Sequence, residues 1–330
     1  MVNESPRLAR SAGLTGYLDL ARSLGLDPYR LAAAQGLPGA CLTDPDLKVP
    51  AEAIGRLLET TARRTGVEDF GLRLAETRRL SNLGAIGLVA REQPTLRAAI
   101  ESIVHYSWLQ NEALIWRLED AGDLTIMRLA LAADRRAGRQ ATELTIGVTV
   151  RTVRSLLGDR WRPEAIVFQY AAPSDTTTHR RVLGVNPTFG GEFTGVVFER
   201  RDLAAPIVNA DPETARQLQR YVDQLAVRRQ ADPAATAREL VLALLPTGGC
   251  NVEKVAALMG IDRRTLHRRL GRQGQTFTAL VEAARRDVTE AHLAAGDRTL
   301  TEIADLLGYS SLSAFSRWRR RWREESRRSA

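Results

Sequence analysis

Two stretches of this chain say the same thing. Val255–Leu270 reads V-A-A-L-M-G-I-D-R-R-T-L-H-R-R-L, and Ile303–Trp318 reads I-A-D-L-L-G-Y-S-S-L-S-A-F-S-R-W. Laid on each other, Ala256 matches Ala304, Leu258 matches Leu306, Gly260 matches Gly308, Leu266 matches Phe315 and Arg268 matches Arg317. The offset is 48 residues before the turn and 49 after it, so the second copy carries one extra turn residue.

Each copy reads as helix, tight turn, helix. Val252, Val255, Ala256 and Met259 recur at helical spacing behind Asn251, a good N-cap. Gly260 suits the left-handed backbone of a sharp helix end, and Asp262 can cap the next helix. In the second copy Thr299 and Glu302 form a capping box ahead of Ile303, Leu306 and Leu307, Gly308 ends that helix, and Ser310-Ser311 starts another. Both second helices present polar reach: Arg263, Arg264, His267 and Arg268 in one, Ser311, Ser313, Ser316 and Arg317 in the other. That is the helix-turn-helix pattern, whose second helix enters the major groove. Between the copies, residues 277–295 read as one helix with Leu280, Ala284, Val288, Ala291 and Leu293 apolar. Roughly twenty residues span about 30 Å, near the ~34 Å between successive major grooves on one face of a duplex.

Residues 246–322 resemble the DNA-binding domain of the AraC family of bacterial transcription regulators, which carries two helix-turn-helix motifs in one chain. The matching pieces are P-T-G (246–248), R-R-T-L-H-R-R-L, F-T-A-L-V from Phe277, Arg285-Arg286-Asp287, and L-T-E-I-A-D-L-L-G-Y-S-S-L-S-A-F-S-R. The resemblance implies base contacts from Arg264, His267 and Arg268 on the first recognition helix and from Leu312, Ser313, Ser316 and Arg317 on the second. Arginine bidentate to guanine and an apolar side chain on the thymine methyl are the fitting chemistries. Arg263, Arg269, Arg319 and Arg320 are assigned to phosphates or solvated surface. The resemblance also implies contact with RNA polymerase. The chain departs from the family at its end, where Arg319 holds an aromatic position, Glu324 a Gly and Arg327 a Pro; Trp318 supplies apolar bulk instead.

Composition agrees. The 330 residues suffice for two domains, and 44% hydrophobic with 26% charged residues is a globular mixture. Of the net +8, residues 251–330 hold 16 Lys/Arg against 10 Asp/Glu, whereas the first 250 hold 31 against 29. The positive excess therefore sits where phosphate contacts are needed. Only Lys48 and Lys254 are lysines, so base composition of the gene is a second source of the Arg abundance. Cys41 and Cys250 are isolated and read as small apolar fillers in a reducing cytoplasm. No signal peptide, membrane span, metal site or cofactor is expected. G-x-S-x-G, a Gly-rich phosphate loop and H-E-x-x-H are missing, which speaks against an enzyme. Cys41 lacks the metal-ligand cysteines that an alkyl-acceptor thiolate needs.

The fold expected is mainly α with a small α+β part. The N-terminal domain, 1–208, is α+β, helices first and a small sheet after, for effector sensing and dimerisation. A helical linker spans 209–245, and 246–330 form an all-α domain with two helix-turn-helix motifs. Helices are expected from Leu14 to Ala34 with a break at Asp27-Pro28, from Pro50, around 68–79 and 81–90, and from Pro94. A hairpin turns at Asp120-Ala121-Gly122-Asp123, followed by a helix over 140–157 and strands at 165–170 and 195–199. The segments G-L-P-G-A-C-L-T-D-P-D-L-K-V-P (36–50), G-L-R-L-A (71–75) and P-T-L-R-A-A-I (94–100) resemble the arabinose-binding-like regulatory domain of one AraC branch. Relatives of that architecture are associated with amino acids, lipids and other metabolites. His105, Tyr106, Trp108, Trp116, Phe168 and Tyr170 are the candidate effector-pocket residues, against the alternative of ordinary core aromatics. The stripe Leu218, Tyr221, Val222, Leu225 serves either a dimer interface or packing within its own domain.

The reading is a cytoplasmic, sequence-specific DNA-binding regulator, an activator by resemblance and a homodimer, with double-stranded DNA and a small-molecule effector as partners. Two rivals stay open: a ligand-independent regulator whose first domain only dimerises, and an enzyme fused to a DNA-binding module.

Overall fold

Gly, Pro and Asp recur every few residues at the start of the chain, and the computed structural model has short elements there. It describes residues 7–131, 138–231, 233–245, 250–259, 261–295 and 298–328; the 246–248 segment and Gly260 lie outside them. Strand β1 (Leu8–Arg10) leads to α1 (Tyr17–Ser23) and α2 (Pro28–Ala34). Asp27 caps α2, accepting from the Tyr29 and Arg30 amides at 3.0 and 3.1 Å, with Pro28 in the first turn. Strand β2 (Lys48–Pro50) pairs antiparallel with β1, Ala9 opposite Val49, and runs into α3 (Ala51–Thr65). Then come α4 (Phe70–Glu76), α5 (Ala85–Arg91) and α6 (Leu96–Gln110), the last capped by Thr95.

The expected hairpin is β3 (Leu114–Ala121) and β4 (Leu124–Leu131), with Leu118 opposite Met127 and Gly122 at φ +62°. It is followed by α7 (Arg139–Leu157), β5 (Ala165–Phe168), α8 (Thr177–Leu183), β6 (Thr188–Phe189), β7 (Gly195–Glu199) and α9 (Arg200–Leu203). The sheet order is β3-β4-β7-β5-β6, antiparallel except for the β5–β6 pair. One core joins this sheet to the helices, with Met127, Leu129, Ile166, Phe168, Val196 and Phe198 from strands and Ile146, Val150 and Val153 from α7. Helix α4 lies unusually close to α7: a Cβ on Gly71 would sit 2.1 Å from the Gln140 carbonyl oxygen, and one on Gly147 2.6 Å from the Ala75 Cβ.

The stretch read above as a helical linker, 209–245, divides between the two halves. Helix α10 (Pro212–Ala231) lies on α5, with Val222 buried beside Ile86, Val89 and Tyr106, Leu218 half-buried against them and Tyr221 exposed. Leu218 and Val222 of that stripe therefore pack within the chain, while the Leu225 side chain lies outside the described residues. Helix α11 (Pro233–Leu244) instead puts Ala237, Leu240, Val241 and Leu244 into the C-terminal core. The rest of that core comes from α12 (Val252–Leu258), α13 (Arg263–Gly271), α14 (Phe277–Ala295), α15 (Leu300–Leu306) and α16 (Leu312–Arg328).

The duplication in sequence is a duplication in backbone. Ile261 N donates to Ala256 O at 3.0 Å, and Tyr309 N to Ala304 O at 3.0 Å. Leu266 N donates to Asp262 O at 3.0 Å, and Phe315 N to Ser311 O at 3.2 Å. Asn251, Asp262, Thr299 and Ser311 all cap as expected, and the Thr299–Glu302 capping box closes both ways. Gly308 sits at φ +72°, the left-handed geometry that only glycine takes without strain.

Strands β1 and β2 also join the halves. They grip the end of α6: Leu8 N donates to Glu112 Oε2 at 2.9 Å, Arg10 Nη1 to Gln110 Oε1 at 2.7 Å, and the buried Lys48 Nζ to Leu109 O at 2.7 Å. Leu8 itself belongs to the C-terminal core cluster, and β2 lies against α11.

Candidate nucleic-acid interface and effector cavity

In α13 the residues at i and i+4, Leu266 and Leu270, are both fully buried. That fixes the helix's rotation and leaves Arg263, Arg264, His267, Arg268 and Arg269 exposed on the far side. Arg263 spends its guanidinium on Glu253 of α12, Nη1 to Oε1 at 3.0 Å. The other four have no side-chain hydrogen bond or ion pair among the described residues and face solvent.

Helix α16 is set in the same way by Phe315 and Trp318, buried at 0% and 4% exposure. The opposite face holds Leu312, Ser313, Ser316, Arg317 and Arg320, all exposed. An apolar side chain as large as Leu312 left 41% exposed beside polar neighbours is available to a partner surface. Trp318 stacks on Trp322 with centroids 5.5 Å apart, donates its indole N–H to Glu282 of α14, and adds apolar bulk to the C-terminal core. Arg319 differs from the other arginines assigned to phosphates. It is half-buried, and burial, then the neighbouring Arg323, pulls its pKa below the usual arginine value. Its Nε has no partner in the protein.

The six aromatics singled out for an effector pocket go to different places. His105 is exposed, edge-on to Tyr106 at 4.6 Å. Tyr106 is buried and fastens α6 to α10, its hydroxyl donating to Asp223 and accepting from Gln219 Nε2 at 3.2 Å. Trp108 is half-buried. Phe168 and Tyr170 stack at 5.0 Å in a cluster with Phe189 and His179. That cluster surrounds the fully buried Glu143, whose Oε1 accepts from Arg139 Nε at 2.7 Å, Tyr170 Oη at 3.0 Å and His179 Nε2 at 3.1 Å. Burial, then Glu143, pushes the Tyr170 hydroxyl's pKa up.

Of the six, Trp116 lines a cavity. This cavity lies between α6, α7 and the β3–β4 hairpin, is partly open to solvent, and has a volume of about 90 Å³. Ile100, Ile103, Ser107 and Gln110 of α6, Met127 of β4, and Thr145, Val148, Thr149, Thr152 and Val153 of α7 form its walls, with Leu83, Ile86 and Leu114. The signal in the sequence is the α7 run Thr145, Thr149, Thr152, hydroxyls recurring at helical spacing within a mostly buried helix. Among the described residues no three His, Cys, Asp or Glu converge on a metal position, and no helix is long and apolar enough to cross a membrane.

Comparison with known proteins bears on both halves. Residues 25–207 match the family described as the arabinose-binding domain of AraC transcription regulators, N-terminal, and residues 255–328 match a helix-turn-helix domain family. The HTH-type transcriptional regulator VirS of Mycobacterium tuberculosis is 32% identical over 326 residues, 96% of this chain and 94% of that protein. The ornithine utilization regulator of Pseudomonas aeruginosa is 22% identical over 97% of this chain and 95% of its own. Among solved structures, the transcriptional regulator CdpR of Pseudomonas aeruginosa aligns at TM-score 0.38 with 19% identity, over 79% of this chain and 86% of that one.

Proposed function

The chain belongs to the AraC family, as a helix-turn-helix transcriptional regulator with an arabinose-binding-type N-terminal domain, and on that footing we propose that it is a sequence-specific activator under the control of a small-molecule effector. In this reading residues 1–208 sense the effector and dimerise, and the C-terminal half reads duplex DNA and touches RNA polymerase in the cytoplasm. Arg264, His267 and Arg268 meet bases in one major groove, and Leu312, Ser313, Ser316 and Arg317 in the next. Arg263, Arg269, Arg319 and Arg320 face phosphates; Arg319 would have to swing out of its half-buried position to do so.

One observation carries the reading. Both candidate recognition helices bury an apolar pair and turn a largely polar face to solvent, with Leu312 the apolar exception on α16, in two copies of one backbone arrangement. Helix α14 between them has 19 residues, a length of about 28 Å, which suits successive major grooves. Nothing chemical is asked of the effector; it shifts a population between DNA-competent and DNA-incompetent arrangements.

The experiment is selection of binding sites from random duplexes, followed by affinity measurements with Arg268→Ala and Arg317→Ala. Each variant is expected to lose about 1–3 kcal/mol of discrimination at one base position. The two positions should lie about one helical turn, ~10 base pairs, apart. Unchanged base preference in both variants would mean that these helices do not read sequence.

A further inference from the structure

We propose that the cavity between α6, α7 and the β3–β4 hairpin binds a small neutral molecule, mostly apolar, with one hydroxyl or N–H group, of the class of short alcohols and phenols. This deepens the reading of the N-terminal domain as the effector-sensing half and rests on it for its regulatory meaning, though not for the binding itself.

The polar atoms of the walls decide the class. Ser107 donates its hydroxyl proton to Val104 O at 2.8 Å, Thr145 to Ala141 O at 2.8 Å, and Thr149 to Thr145 O at 2.9 Å. Gln110 donates to Leu83 O at 2.8 Å and accepts from Arg10 at 2.7 Å. The three hydroxyls have spent their protons on the protein and offer lone pairs only, while Gln110 keeps a second N–H. Thr152 is the exception, a lining hydroxyl with no side-chain hydrogen bond among the described residues. The cavity therefore presents several acceptors, a few neutral donors (the Thr152 hydroxyl, the second Gln110 N–H and the Trp116 indole N–H) and no charged side chain.

A carboxylate does not fit that inventory. Its buried charge calls for a cation, and no charged side chain lines the walls. A free sugar fares no better, because four or five hydroxyls would meet apolar walls such as Ile100, Ile103 and Val148 and stay unpaired. A molecule with one donor is satisfied by a threonine lone pair, and Thr152 donates back to its oxygen. Size narrows the class further. The cavity's 90 Å³ is about three liquid-water volumes, and smaller than the ~150 Å³ engineered cavity that holds benzene. Roughly four to seven heavy atoms fit, the larger ones reaching into the mouth.

The test uses the full-length protein without DNA, titrated with 1-pentanol, phenol and benzene, and with pentanoate and L-arabinose as the charged and polyhydroxyl counterparts. Calorimetry is expected to give saturable binding, one molecule per chain, for pentanol or phenol and none for pentanoate or arabinose. Trp116 lines the site and reports by fluorescence, and the ligand-dependent signal should be lost in Trp116→Phe. Ile103→Trp, which fills the cavity, should abolish binding. Since that variant can fail to fold, Thr152→Val supplies a gentler check. It should weaken pentanol about two- to tenfold, the worth of one neutral hydrogen bond, and leave benzene unchanged. Equal binding of pentanoate or arabinose, no saturation by pentanol, phenol or benzene, or an unaltered pentanol affinity in Thr152→Val would overturn the assignment. Site selection with ligand-free protein runs separately, so failure here and failure of the DNA-reading proposal are told apart.

Discussion

Cys41 is a reactive group silenced by its surroundings. It is 2% exposed, and burial pushes its thiol up to about 12, far above the pH at which a thiolate forms in water. Cys250 is half-buried, with its thiol also raised by burial but offset in part by Arg285 and Lys254. Alkylation of the native protein with iodoacetamide at pH 8, followed by mass spectrometry, should modify Cys250 slowly and Cys41 only on the timescale of unfolding. Equal rates at the two would contradict the burial described. At this scale the solvent-facing side chains of α13 and α16 were legible in the sequence because Leu266, Leu270, Phe315 and Trp318 announce the inward side of their helices by spacing alone. The cavity residues were not. An aromatic on a half-buried strand or helix can face either way, so Trp116 and Tyr106 look alike in the sequence although one lines a void and the other ties down α10.

Among the elements, those with local chemistry at their ends are the ones the sequence located well. The span of α14 came out as expected, and α12, α13, α15 and α16 begin where Asn251, Asp262, Thr299 and Ser311 cap them. The Thr299 hydroxyl accepts from Glu302 N at 3.3 Å while Glu302 Oε2 accepts from Thr299 N at 2.7 Å. Thr299→Ala removes one half of that reciprocal pair and should cost about 0.5–2 kcal/mol. Urea denaturation followed through the Trp318–Trp322 fluorescence checks it, and an unshifted midpoint would show that the cap is idle. Elements fixed by distant partners were out of reach. Strands β1 and β2 have three residues each and nearly forty between them, too few for a period-two pattern and too far apart for a turn signal. The destination of α11 was hidden for a related reason: an amphipathic helix declares that it has a buried face, not which core receives it.

For the whole molecule the junction between the halves matters most. Gln110 lines the cavity and accepts from Arg10, Arg10 sits in β1, and Leu8 of the same strand lies in the C-terminal cluster with Ala237, Leu240 and Phe315. A change at the cavity wall thus has a short, packed route to the DNA-binding half. Leu8→Ala should destabilise the protein by about 2–5 kcal/mol, the usual cost of emptying a buried leucine site. The loss should register in the Trp318–Trp322 signal although the substitution is at the opposite end of the chain. A loss seen only by N-terminal probes would show that Leu8 contributes nothing to the C-terminal core.

That same strand sets a timetable for synthesis. Leu8 leaves the ribosome ahead of α11, whose residues share its core cluster and which begins at Pro233, some 225 residues later. At translation speeds of about 5–20 residues per second, the interval is roughly 10–45 s. Throughout it, the nascent N-terminal half must hold a greasy hook with nothing to catch, which makes this strand a natural foothold for a chaperone.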